Sequence, residues 1–275
     1  PLLIAGGWDT QAEMRVTGFN SEFLAFEMRG HIAVLTLNRP DKRNAVHMAM
    51  IEDVRRFFAA PPEDARAVVL AGAGDHFCAG LDLSEHKERD VNEALAASRY
   101  WHRTLEMVQF GGLPVITAMQ GAVMGGGLEI AVATHVRVAE PSVIYQLPEG
   151  QRGIFVGGGA SVRVARIIGA GRTTEMMLTG RRYDATEGQA LGLSHYLTGV
   201  GQALDKALEL AETVASNAPL VNDVIMLGIE RIADMPMTAG LYTEAVASAL
   251  TQTSDDARAG MEAFLEKREA KFRDD

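Results

Sequence analysis

The chain is read as an α/β fold: short ββα-like units fill roughly the first 200 residues, and a purely helical region follows. Three observations predict this. Apolar runs of strand length alternate with segments whose apolar residues recur at helical spacing. Glycines punctuate the ends of the apolar runs, at Gly72, Gly74, Gly121, Gly125-Gly126-Gly127 and Gly180. From about Gln202 onward only the helical spacing remains.

Residues 1–21 are set apart as an N-terminal arm, 22–200 as the core that carries the active site, and 201–275 as a helical lid or assembly region. The arm starts with a short apolar stretch but lacks a basic segment and a small-residue cleavage site, so it is not read as a signal peptide. Two strands are expected over 23–28 and 31–37, turning at Arg29-Gly30. The polar loop 38–44 follows, punctuated by Pro40, and then a helix over about 47–59 with Met50, Ile51, Val54, Phe57 and Phe58 on one face. Residues 67–71 form a buried strand, 91–110 a long amphipathic helix, and 114–119 a second buried strand. A helix starts at about Gly126, and strands are expected over 136–139 and 143–146. Beyond Gln202, helices are expected over 203–216, 220–235, 243–251 and 255–272.

Composition excludes several classes. The net charge of −10 and pI of about 5.2 argue against a nucleic-acid or anionic-membrane surface. No apolar run reaches the roughly 18–20 residues needed to span a bilayer. Cys78 is the single cysteine, so no internal disulfide exists; a reducing, cytoplasmic setting fits. No metal site and no separate cofactor are expected.

Two glutamates stand out. Glu129 ends Gly125-Gly126-Gly127-Leu128-Glu129 and runs into the apolar Ile130-Ala131-Val132-Ala133; Glu149 ends Tyr145-Gln146-Leu147-Pro148-Glu149. A carboxylate in an apolar setting is costly unless paired, hydrogen-bonded or protonated. Two of them at one cavity would form a general acid/base device. The first glycine turn, Ala79-Gly80-Leu81-Asp82, leaves the Leu81 N–H free to point into a cleft, and Gly126 falls in the first turn of a helix. Two such N–H groups would make an oxyanion hole. Taken singly, a triple glycine is a tight turn or a close-packing device, and Asp82 a turn or cap residue.

The segments Asn38-Arg39-Pro40-Asp41-Lys42-Arg43-Asn44-Ala45, Phe77-Cys78-Ala79-Gly80-Leu81-Asp82-Leu83, Gly121 to Glu129 and Pro148-Glu149 resemble the crotonase (enoyl-CoA hydratase/isomerase) superfamily. The ending Phe264-Leu265-Glu266-Lys267-Arg268 is similar to that family's C-terminal helix, and the resemblance runs over about residues 22–272. It implies a crotonase-type spiral of ββα units and an acyl-CoA thioester substrate, with coenzyme A part of that substrate. It implies an oxyanion hole from the N–H groups of Leu81 and Gly126, and an Ala79 carbonyl that accepts from the adenine amino group. Glu129 and Glu149 match the hydratase pair, and Gly157 a backbone donor that positions the water. Where the family often carries a phosphate-binding lysine this chain has Ser84, with Lys87 and Arg89 further on, so Lys42, Arg43 and Lys267 are the preferred phosphate contacts. Trp101 is expected to line the acyl pocket, and His102 and His135 to be packing or surface residues. The implied activity is hydration of a short or functionalised 2-enoyl-CoA, in fatty-acid metabolism or on a special substrate such as methylthioacryloyl-CoA. The alternatives are a Δ3,Δ2-enoyl-CoA isomerase and a non-catalytic binding protein of the same fold. A homotrimer or a dimer of trimers (a hexamer) is implied.

Overall fold

The computed structural model describes residues 19–85 and 88–272. Nearly all of the expected N-terminal arm, and Lys87, lie outside the described residues.

In chain order the elements are β1 (Leu24–Arg29), β2 (Ile32–Leu37), α1 (Met48–Ala59), β3 (Ala67–Gly72), α2 (Val91–Phe110) and β4 (Val115–Met119). Then come β5 (Ala122–Met124), α3 (Gly126–Ala131), β6 (Val136–Ala139), β7 (Ile144–Gln146), α4 (Ala160–Ile168), α5 (Ala170–Thr179) and β8 (Tyr183–Asp184). They are followed by α6 (Ala185–Ala190), β9 (Tyr196–Leu197), α7 (Ala203–Ala215), α8 (Pro219–Ala233), α9 (Met237–Gln252) and α10 (Asp255–Leu265). The expected α/β core and helical C-terminal region are therefore present. Strand β5, the short β8 and β9, and helices α4 to α6 were not anticipated. They lie where glycines interrupt the periodicity, so no window is long enough to show a repeat.

Among the described residues the main sheet has the order β1-β2-β3-β4-β6-β9. Only the β1/β2 hairpin is antiparallel; the pairs from β2 to β9 are parallel. Parallel strands covered on both faces read as continuous apolar runs, as in Ala67-Val68-Val69-Leu70-Ala71. Alternation sorts these residues onto two faces. Ile32, Val34, Val69, Ile116 and Val138 meet the alanine stripe Ala203, Ala207 and Ala211 of α7. Small side chains at this four-residue spacing let the helix backbone approach the sheet closely. Leu35, Leu37, Val68 and Leu70 face the other way, in the cluster that contains Phe57 of α1 and Leu105 of α2. Each large apolar side chain fully buried there contributes roughly 1.5–3 kcal/mol, against about 1 kcal/mol net for a ladder hydrogen bond. Side-chain burial therefore dominates the cohesion of this layer.

A second, three-stranded sheet, β5-β7-β8, lies beside the first. It positions the site, because β5 leads into α3 and β7 leads into Pro148-Glu149. The Cys78 backbone bridges to Val123 of β5, with Cys78 N donating to Ala122 O and Met124 N to Cys78 O. The two glycine turns are thereby laced together through backbone hydrogen bonds.

Candidate active site

The first turn is braced by the polar loop before α1. The Asn44 side chain accepts from Arg39 N at 2.8 Å and donates to the carbonyls of Ala73 and His76. Arg43 O accepts from Ala79 N at 3.0 Å, and Val46 N donates to Gly80 O at 2.7 Å. Arg39 pairs with the buried Asp82 at 3.0 Å, and Asp82 also accepts from the backbone and hydroxyl of Ser84. The Ser84 hydrogen bonds, then the Arg39 guanidinium, hold the Asp82 carboxyl below its ordinary range against the opposing effect of burial. Asp82 is thus a turn residue rather than a proton carrier. Gly80 adopts φ +100°, and a Cβ there would stand 2.9 Å from Met124 O, so the crossing of the two turns requires glycine.

The second turn ends at Gly125 (φ 48°, ψ −123°), whose N–H donates to Gln146 O of β7. Gly126 opens α3, and a methyl group placed on it would stand 3.7 Å from Leu81 N. Neither Leu81 N nor Gly126 N donates to another group among the described residues. Two amides from separate turns, each without an acceptor among the described residues, therefore lie close together. Next to them, Cys78 is fully buried and burial pushes its thiol up to about 12, which removes it as a nucleophile at neutral pH.

Glu129 follows one turn into α3 and is 4% exposed. Its Oε1 accepts from Gly158 N at 2.8 Å and from Ala160 N at 3.0 Å. Ala160 is the first residue of α4, so the carboxylate caps a helix N-terminus through space and sits at the positive end of its dipole. Burial pushes the Glu129 carboxyl up, and the Ala160 and Gly158 hydrogen bonds, with His102 and Arg163 nearby, oppose that push.

Glu149 opens a short 3-10 turn after Pro148 and is 8% exposed. Its Oε1 lies 2.9 Å from where a Cβ on Gly125 would be, and its Oε2 has no hydrogen-bond partner among the described residues. Burial raises its carboxyl to about 7; its own backbone N–H opposes this, and Glu129 adds to it. The pair therefore differs in environment: one carboxylate is clamped by two amides, the other left with an oxygen free.

A cleft of about 490 Å³ is lined by Ala79, Gly80, Leu81, Gly125 and Glu149, together with Arg43, Arg152 and Arg182. The Ala79 carbonyl accepts no hydrogen bond among the described residues. Trp101, 7% exposed, stands against both glycine segments: its ring lies 3.0 Å from a Cβ placed on Gly126 and 2.9 Å from one placed on Gly158. Gly157 O accepts from Ser98 Oγ at 2.7 Å, while its N–H is free among the described residues. Lys42 is exposed and Lys267 follows α10, and neither lines this cleft within the chain. His135 accepts from Val115 N and faces Gln109 O, and His102 is exposed, so both are structural or surface residues as expected.

Sequence reasoning missed the two amides that clamp Glu129 and the arginines Arg152 and Arg182. The only sequence signal for the clamp is the Gly157-Gly158-Gly159 run before Ala160, which reads as a second helix start. Nothing in the spacing ties it to Glu129.

The sequence and the fold match known proteins. A chain from Rhodopseudomonas palustris, proposed to be an enoyl-CoA hydratase, superposes with TM-score 0.87 at 47% identity, covering 89% of this chain and 95% of that one. An enoyl-CoA hydratase structure from Bacillus anthracis gives TM-score 0.87 at 31% identity, covering 92% of this chain and 100% of that one. The fold is that of the crotonase superfamily. Residues 27–275 match the Enoyl-CoA hydratase/isomerase family, and the chain belongs to that family. Its relatives include the enoyl-CoA hydratase EchA19 of Mycobacterium tuberculosis, 33% identical over 90% of this chain and 94% of that protein. Another is the short-chain-enoyl-CoA hydratase of Clostridium acetobutylicum, 30% identical over 88% of this chain and 94% of that protein.

Proposed function

We propose that the protein is an enoyl-CoA hydratase that adds water across the 2,3 double bond of a short or functionalised 2-enoyl thioester. The observation that carries this reading is the pair of buried carboxylates, Glu129 and Glu149, beside the free N–H groups of Leu81 and Gly126. The thioester oxygen accepts from those two amides. As the water oxygen bonds to Cβ, negative charge builds on the thioester oxygen, where preorganised donors count most; one such donor is worth about 10²–10³ in rate. Glu129 takes the proton from water, which Gly157 N helps to hold, and Glu149 delivers a proton to Cα. After one turnover the proton has moved from Glu149 to Glu129, and their shared total is unchanged.

That balance sets the pH dependence. The active enzyme carries one proton on the pair, so kcat/KM for hydration is bell-shaped and belongs to the dyad rather than to either residue. With Glu149 raised to about 7, the expected alkaline limb falls as pH rises through about 7. Hydration and dehydration should show the same profile, since both start from the singly protonated pair. Stopped assays in both directions from pH 5 to 9 measure it; a hydration rate still climbing above pH 8 would remove Glu149 as the acid.

The coenzyme A portion is assigned to the cationic side of the cleft, with Ala79 O accepting from the adenine and Arg43, Arg152 and Arg182 near the phosphates. The apolar residues Leu81, Leu83 and Ile154 also line this cleft and are exposed, and they offer apolar surface to a ligand. Trp101 closes the acyl end and restricts chain length. Trp101→Ala is expected to raise the ratio of kcat/KM for an eight-carbon over a four-carbon 2-enoyl-CoA by about tenfold. The test of the function itself is a panel of 2-enoyl-CoA thioesters, read by loss of the conjugated-thioester absorbance. No loss with any of them would refute hydration.

The assembly is proposed as a homotrimer or dimer of trimers. Helices α9 and α10 leave Leu241, Tyr242, Val246, Met261, Phe264 and Leu265 more than half exposed, which a lone protomer does not explain. Packing between copies would also give Lys267 a route to a neighbouring cleft. Light scattering after size exclusion checks the mass.

A further inference from the structure

A second cavity, about 540 Å³, lies between α2, α4, β6 and α8, and its charged side chains are already spoken for. Arg137 donates to the carbonyls of Leu193, Thr134 and Gly192, and Arg166 pairs with Asp234. The remaining charged side chains run towards Glu129. Arg163 Nη1 donates to Gly158 O at 3.2 Å, and Arg163 Nε donates to Gln109 Oε1 at 2.7 Å. Gln109 Nε2 in turn donates to Glu230 Oε2 on α8. Gln109 is 6% exposed, so its amide is held in one orientation with oxygen towards Arg163 and nitrogen towards Glu230.

Gly158 is the residue whose N–H clamps Glu129. The peptide groups on its two sides are thus fixed together: the amide aims at the carboxylate, and the carbonyl is tied to a guanidinium. We propose that Arg163 is a positioning residue for Glu129, and that Gln109 and Glu230 hold it in place and couple α8 of the C-terminal region to the active site. The inference rests on the hydratase reading for its kinetic consequence but not for its geometry.

The charges around Glu129 are Arg163 on α4, His102 on α2 and Glu149 on the loop after β7. Glu106 on α2, Glu230 on α8 and Arg166 on α4 act in turn on Arg163. Loss of the Arg163 cation should disfavour ionised Glu129, and loss of the ordered Gly158 peptide should misplace it. Arg163→Gln removes the charge and the fork, Arg163→Lys keeps the charge alone, and Glu230→Gln loosens the anchor on α8.

The experiment has two arms. In the first, the Glu129 carboxyl is titrated by ¹³C NMR in the ligand-free protein, its signal assigned by comparison with Glu129→Gln. The expected result is titration at higher pH in Arg163→Gln, a smaller change in Glu230→Gln, and near wild-type behaviour in Arg163→Lys. In the second arm, kcat for hydration should fall about tenfold in Arg163→Gln with KM changed less than about twofold, short of the ~10² that a 1 Å misplacement costs. The acidic limb of the profile should move to higher pH in step with the titration. Thermal melts of every variant identify any that does not fold, and Arg163→Lys then carries the test, with a lowered kcat and an unmoved limb expected. A wild-type Glu129 titration in folded Arg163→Gln, or a wild-type kcat in Arg163→Lys, overturns the positioning role. A shifted titration in a protein that hydrates none of the thioesters leaves the relay standing and refutes the reaction instead.

Discussion

Glu149→Gln is expected to lower the hydration rate by about 10²–10⁴, the range typical of removing a general acid or base, while the fold persists. The same substitution should make the protein relatively more stable at alkaline pH. The sign follows from the direction of the shift. The folded-state carboxyl titrates at about 7, above its usual 4.5, so the native state holds the proton more tightly than the unfolded chain. Wild-type stability therefore falls as pH rises from about 4.5 through 7. Glutamine has no proton to lose. The stability difference between variant and wild type should grow in the variant's favour by about 1–3 kcal/mol between pH 5 and pH 8, a few degrees in melting temperature. Melts at both pH values with parallel rate measurements check this. A wild-type rate in the variant removes Glu149 from the chemistry; a pH-independent difference in stability removes the burial argument.

Glu129→Gln is the second large effect. The amide oxygen of glutamine can still accept from Gly158 N and Ala160 N, so the clamp survives in outline while the base is lost. Hydration should fall by about 10²–10⁴ with little change in KM, because the lost interaction acts on the transition state. This variant also separates the two family chemistries. An isomerase shuttling one proton through Glu149 would keep converting a 3-enoyl to a 2-enoyl thioester in Glu129→Gln, seen as a gain of conjugated absorbance. Full hydration activity in Glu129→Gln would show that one carboxylate suffices.

Both glutamates are legible in the sequence, and the reason is local. Glu129 sits in a glycine-rich turn that opens a helix, and Glu149 follows a proline after a buried strand, so each announces itself within a few residues. The paired free amides were legible for the same reason: a glycine turn and a helix start expose N–H groups by local geometry alone. Arg43, in the polar loop after β2, lines the cleft. Lys42 and Lys267 do not line it within one chain, since an exposed lysine's reach depends on what packs nearby. Arg152 and Arg182 were overlooked because a surface arginine carries no local mark of facing a cleft.

The α/β core, the helical C-terminal region and the two glycine turns follow from contiguous sequence, which also picks out Glu129 and Glu149 as two carboxylates in apolar settings. Apolar periodicity and turn chemistry act over spans of a few residues, and such information is written contiguously. Only the folded chain shows that Gly158 and Ala160 clamp Glu129, that Glu149 has an oxygen without a partner among the described residues, and that Trp101 stands against both glycine segments. It also shows that Glu230 reaches Glu129's clamp through Gln109 and Arg163. Each of these joins residues from separate elements, and the low-dielectric burial that shifts the two carboxyls exists only once those elements have closed around them.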